Sequence, residues 1–211
     1  MTKAVSMQDV VEKVAMPMPL VETMPFVWTL DRYHRAIEQD IFGEDDPVEL
    51  LFGQIITRMP VGELHTQCLK ILNVRFVLQF RNQYYYQSQD PITLPDYSEP
   101  QPDYAVVTHK NYSKKTGQPG PEDIYLLIEV ADSSLEIDRG PKAQAYALAG
   151  IQEYWIVNLK ARQVELHLAP NVNLGEYSSI TRHGEGSIFE SPFSGPTAVS
   201  ELLPPMEQEE E

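Results

Sequence analysis

The segment "DIYLLIEVADSS", residues 123–134, constrains the fold more than any other part of the chain. Apolar side chains occupy both alternating registers, so the run reads as a buried β-strand. Tyr125, Leu127, Glu129 and Ala131 fall on one face, and Ile124, Leu126, Ile128 and Val130 on the other. A buried strand places Glu129 in the interior. A carboxylate there is costly unless another group compensates its charge. The rest of the fold therefore has to supply a partner for Glu129.

The chain has 211 residues, 42% of them hydrophobic and 22% charged, which suits one ordinary domain with its own core. No apolar run approaches the roughly 20 residues that span a bilayer. The opening stretch, "MTKAVSMQDVVEKVAMPMPL", is broken by Gln8, Asp9, Glu12 and Lys13 and lacks the form of a signal peptide, so a cytoplasmic protein is expected. Cys68 is the sole cysteine, which excludes an intrachain disulfide and a cysteine-based zinc site. Its helical spacing from Leu64, Leu72 and Phe76 marks it as a small core residue. The net charge of −15 is the wrong sign for casual binding to a phosphate backbone.

Residues 1–24 read as a poorly ordered arm, 25–203 as a single domain and 204–211 as a disordered acidic tail. "TLDRYHRAIEQDIFG" has the pattern of a first helix, with Thr29 as N-cap and Gly43 past its end. "PVELLFGQIITRMP" reads as two short strands turning near Phe52 and Gly53. "GELHTQCLKILNVRFVLQFRNQ" carries the longest helical period. Strand-like runs follow in "QYYYQSQ", "DPITLP", "QPDYAVVTH" and "DIYLLIEVADSS". "PKAQAYALAG" is a short alanine-rich helix stopping at Gly150, with Pro141 in its first turn. "QEYWIVNL" and "RQVELHLAP" are strands, and "GEYSSITRHGEGSI" is expected to add a hairpin. This order predicts an α/β or α+β fold in which a mixed sheet packs against helices.

In "QPDYAVVTH", Asp103, Ala105 and Val107 share a face. If this strand neighbours that of Glu129, the two acids sit side by side. A divalent cation would remove their repulsion. Hard oxygen ligands suit magnesium or manganese, and the Val130 backbone carbonyl is a natural further ligand. Asp138, Lys142 and Tyr146, spaced by four, line one face of the following helix. Lys142 there can lean back toward the carboxylates. Each residue also has an ordinary reading. Asp103 suits a turn, Asp138 an N-cap, Lys142 a solvated surface and Tyr146 the core.

Together these residues resemble the Uma-two family, restriction-endonuclease-like proteins of the PD-(D/E)XK nuclease superfamily. The resemblance rests on Pro102-Asp103, on Glu129-Val130 with Ser133 nearby, on Asp138, Lys142, Tyr146 and Gly150, and on Glu153-Tyr154-Trp155-Ile156-Val157. "VELLFGQI" and "GELH" match earlier segments of the family. It implies a restriction-endonuclease-like core, a central mixed β-sheet flanked by helices, with Asp103 and Glu129 as metal ligands. Glu49 becomes an auxiliary acid, and Lys142 replaces the lysine usually found two residues after the glutamate, where this chain has Ala131. His65 matches the family's histidine, although a capping or packing role fits it as well. Asn158 stands where aspartate is common and is expected to be structural.

The function so implied is a magnesium- or manganese-dependent endonuclease that hydrolyses DNA as a homodimer, with catalytic Asp103, Glu129, Lys142 and Glu49 and secondary candidates His65, Asp138 and Tyr146. The alternatives are a catalytically inactive binding or scaffold protein that keeps the fold, or a nuclease subunit needing a DNA-binding partner. The acidic net charge and scattered basic residues favour these.

Overall fold

A computed structural model of the chain describes residues 25–42, 46–95, 97–113 and 117–205. The expected N-terminal arm, the tail from 206 onward and Gly43 lie outside the described residues. Thr29 caps α1 (Leu30–Glu38), its hydroxyl accepting the Arg32 N–H at 3.4 Å. β1 (Val48–Leu51) and β2 (Gln54–Thr57) pair antiparallel through Phe52 and Gly53, both at positive φ. Glycine is needed at 53 for a second reason, since a Cβ there would lie 2.5 Å from Val27 Cγ1. α2 (Glu63–Phe80) follows the 3.6-residue period and buries His65, Cys68, Leu72 and Phe76.

Six strands form the central sheet: β3 (Tyr84–Gln87), β4 (Tyr104–Thr108), β5 (Ile124–Ala131), β6 (Glu153–Asn158), β7 (Gln163–Asn171) and β8 (Glu176–Gly184). They lie side by side in chain order. Every pairing is antiparallel except β5 with β6, so the sheet is mixed. A parallel pair needs a crossover. This one comprises α3 (Leu135–Ile137), a π-helical turn (Asp138–Lys142) and α4 (Ala143–Leu148). β9 (Ile188–Ser191) and β10 (Gly195–Ala198) form a separate hairpin.

Both sheet faces are covered. On one, Cys68, Leu72 and Phe76 of α2 pack against Tyr104, Leu126, Ile128 and Trp155, together with Phe189 and Leu202 from the C-terminal segment. On the other, Ala143 and Tyr146 of the crossover join Leu51, Ile92 and Leu94 over Ala105, Leu127, Ala131 and Ile156. Each fully buried large apolar side chain contributes roughly 1.5–3 kcal/mol. The mixed sheet flanked by helices is the architecture expected from the order of elements. Among the described residues no helix is long and apolar enough to cross a membrane.

Four local expectations change. The register of β4 with β5 slips between Val106 and Val107, leaving Tyr125 as an extra residue. Beyond this bulge the alternation reverses, so Ile124 packs on the same face as Leu127 and Ala131. "DPITLP" is no strand. It makes one isolated bridge, Leu94 with Ser98, because Pro91, Pro95, Pro100 and Pro102 remove ladder donors. The crossover begins at Leu135, a turn earlier than expected, and Pro141 lies inside its π turn. Lacking an N–H, Pro141 cannot continue the α ladder, and the wider turn accommodates it, with the Ala143 N–H reaching Asp138 O. Asp138 is therefore inside the helix rather than at its N-cap. Finally, "GEYSSITRHGEGSI" is divided. β8 completes the main sheet, while Ile188 opens the hairpin with β10.

Candidate active site

Tyr104 stands opposite Ile128, so Asp103 and Glu129 are neighbours across β4 and β5 at one end of the sheet. The backbone cross-links them. The Val130 N–H donates to Asp103 Oδ2 at 2.8 Å and the Asp103 N–H to Glu129 Oε2 at 3.3 Å. His65, in the first turn of α2, reaches Asp103 Oδ2 through Nε2 at 3.0 Å. That leaves Asp103 Oδ1 with a long contact of 3.4 Å from Gln89 Nε2.

Glu129 is buried and receives two further donors on Oε1, the Lys142 ammonium at 3.0 Å and the Tyr146 hydroxyl at 2.6 Å. The compensation that its burial required comes from this ammonium, this phenol and one backbone amide. Lys142 Nζ also lies 3.5 Å from Glu49 Oε1, and Glu49 Oε2 accepts the Gln101 N–H at 2.9 Å. The β1–β2 hairpin, the sheet and the crossover thus meet at one ammonium. Asp138 accepts the Ser134 hydroxyl at 2.5 Å, and its backbone carbonyl accepts the Tyr154 hydroxyl at 3.0 Å.

A cavity of about 230 Å³ opens here. Glu49, His65, Asp103, Glu129, Val130, Asp138 and Lys142, all singled out in the sequence, line it. Tyr146 is not on its wall and acts from beneath, through Glu129. Lining residues that sequence reasoning passed over include Arg58, Gln89 and Gln101. A signal existed for the two glutamines, which stand just before "DPITLP" and in front of the Pro102-Asp103 pair. Arg58 ends "QIITR" with no pattern to mark it. Asn158 is structural as expected, its Oδ1 holding the Ala161 N–H at 3.0 Å across the β6–β7 turn.

Four carboxylates, Glu49, Asp103, Glu129 and Asp138, surround one ammonium. Burial pushes the Glu129 carboxyl well above its ordinary value, opposed by Lys142 and Tyr146 and aided by the charges of Asp103 and Asp138. Burial raises Asp138 to about 6, against the pull of Lys142 and Ser134. At Asp103 burial is outweighed by His65, Lys142 and the Val130 N–H, and the carboxyl is held below its usual range. Burial by itself would depress Lys142, but the surrounding carboxylates raise it, so it remains an ammonium at neutral pH. Among the described residues, no three His, Cys, Asp or Glu side chains form a ready-made metal cluster.

Comparison with known proteins gives the fold a relative. A crystal structure described as a putative nuclease belonging to DUF820, from Anabaena variabilis ATCC 29413, aligns with a TM-score of 0.60 at 15% identity, covering 84% of this chain and 97% of that one. No curated protein matches the chain. The model of the Uma2 family, described as "Putative restriction endonuclease", matches residues 30–198. With most of its length matched, including the strands, crossover and hairpin that build the cavity, the chain belongs to the Uma2 family.

Proposed function

We propose that the protein is a metal-dependent endonuclease that hydrolyses phosphodiester bonds of DNA. The observation that carries this reading is the meeting of Asp103, Glu129 and Lys142, from three separate segments, at one cavity of about 230 Å³. Membership of the Uma2 family, whose model is described as "Putative restriction endonuclease", supports it.

The donor set suits a hard divalent cation. Every carboxyl group in the cavity offers only oxygen, and four carboxylates face a single ammonium, leaving a surplus of negative charge. Magnesium is commonly held by one or two carboxylates with water and substrate phosphates completing the shell, so a preformed cage is not required. Asp103 and Glu129 would hold it, with the Val130 carbonyl as a further oxygen. When bound, such an ion supplies Lewis-acid polarisation of the phosphate.

The chain's own groups do the rest. Lys142, fixed as an ammonium, is a donor and not a base. It orients the attacking water and stabilises negative charge growing on the phosphate. His65 and the Val130 N–H hold Asp103 Oδ2, which leaves Oδ1 for the cavity. Glu49 and Tyr146 keep Lys142 and Glu129 in place. Because two strands need two sites, we assign a homodimer as the cutting species, measurable by light scattering as twice the chain mass.

The test is plasmid nicking in magnesium by wild type and Lys142→Ala. The wild type nicks, and the variant loses at least about 100-fold in rate. Equal nicking by both would remove the proposed chemistry. A second reading, a non-catalytic binding protein of the same fold, is favoured by the net charge of −15. It predicts no nicking by either and no calorimetric signal for magnesium or manganese.

A further inference from the structure

The cavity carries a cation that the chemistry above does not use. Arg58 directly follows β2, and its backbone N–H donates to Pro47 O at 2.6 Å, which pins the chain at the cavity wall. Its side chain lines the cavity with His65 and Lys142. Those two are already engaged, His65 by Asp103 and Lys142 by Glu129 and Glu49. The ion-paired arginines among the described residues are Arg75, Arg139, Arg162 and Arg182. No described carboxylate pairs with Arg58, and its Nε is buried without a hydrogen-bond partner.

This arrangement is costly in the free protein. A buried donor without an acceptor forfeits its hydration, and such groups are rare enough to call for an explanation. An anionic ligand supplies one. A phosphodiester entering a cavity walled by five acidic residues, Glu49, Asp103, Glu129, Asp132 and Asp138, is repelled unless a cation not already neutralised by a carboxylate faces it. Arg58 is the cation of the wall that meets this condition. A guanidinium can also meet two phosphate oxygens with two of its nitrogens as a planar fork, which an ammonium does not.

We propose that Arg58 binds the non-bridging oxygens of the substrate phosphodiester and positions that group against Asp103, Glu129 and Lys142. The assignment rests on reading the cavity as a phosphodiesterase site. It makes the β2–α2 connection the substrate-holding wall, with the sheet end and crossover as the reacting wall.

Binding can be read without turnover, by fluorescence anisotropy of a labelled duplex oligonucleotide with phosphorothioate linkages in magnesium. Wild type, Arg58→Gln and Arg58→Lys are compared across a salt series, with denaturation midpoints confirming that each is folded. Arg58→Gln weakens binding about 10- to 100-fold. It also makes the slope of log affinity against log salt shallower by about 0.9, the signature of one lost phosphate contact. Arg58→Lys keeps the slope and recovers part of the affinity. Equal affinity and slope in wild type and Arg58→Gln overturns the assignment, and so does a wild type that does not bind. The two proposals fail separately. Arg58-dependent binding without nicking defeats only the hydrolytic reading, whereas Lys142-dependent nicking with Arg58-independent binding defeats only the role of Arg58.

Discussion

At the scale of single residues, Glu129 organises the site. Its carboxylate is buried on the β5 strand and takes Lys142, Tyr146 and the Asp103 N–H as donors. Apolar neighbours in its own strand make that position legible from sequence, because a lone acid in such a run must be answered by something. The spacing of four from Asp138 to Tyr146 also placed Lys142 and Tyr146 on the right side of the strand. What answers Glu129 was harder to foresee, since a lysine thirteen residues away can equally point into solvent. Tyr146 gives a direct test. Its hydroxyl pulls the Glu129 pKa down. Tyr146→Phe removes that donor, so the Glu129 carboxyl rises further and its ionised form is lost at higher pH. The acid limb of the nicking profile therefore moves to higher pH, and urea denaturation shows a loss of about 1–2 kcal/mol. An unmoved acid limb would show that Glu129 ionisation does not govern the rate.

At the scale of elements, the crossover between β5 and β6 positions the chemistry. Pro141 opens the helix into a π turn that carries Lys142. The preceding Arg139 clamps this turn to β7, its Nε lying 3.0 Å from each oxygen of the fully buried Glu165 and its Nη2 closer still. Arg182 from β8 approaches the same carboxylate at 3.5 Å. Arg139→Ala leaves Glu165 buried with only distant partners, Arg182 and the His167 ring at 3.9 Å. The expected cost is about 2 kcal/mol in chemical denaturation, below the range for a fully buried pair because Arg139 is partly exposed. If the clamp positions Lys142, nicking falls in kcat with KM little changed. A variant destabilised but with unaltered kcat would restrict the clamp to stability. Alternation identified the strands and the 3.6 period identified α2. The bulge at Tyr125 escaped this reading because a single extra residue is decided by pairing with β4, and local pattern contains no trace of it.

For the whole molecule, the two faces of the sheet divide the work. One is closed by α2 and the C-terminal hairpin, which docks through Glu153, a buried acceptor for Trp155, Ser191 and the Phe193 N–H. The other bears the crossover and, near β8, a buried histidine. His167 packs against Tyr154 and Tyr177, and neither of its ring nitrogens has a hydrogen-bond partner. Burial lowers its pKa from 6.5 to about 4. The unfolded chain takes up a proton below pH 6.5 that the folded protein refuses, so this contribution to stability is complete above that pH and declines as pH falls toward about 4. Urea denaturation near pH 7 and near pH 5 should show the loss, and His167→Phe should reduce it. An equal decline in both proteins would assign the acid sensitivity elsewhere. The sequence by itself determined the mixed sheet and the buried strand of Glu129, because side-chain period and apolar content are local properties that burial selects, whereas Glu49 and His65 were marked only by the family resemblance. Only the tertiary structure decided that Lys142 is held by two carboxylates, that the crossover opens at Pro141 and that Arg58 faces the cavity. Those facts depend on distances between segments far apart in the chain, which packing sets and residue spacing does not encode.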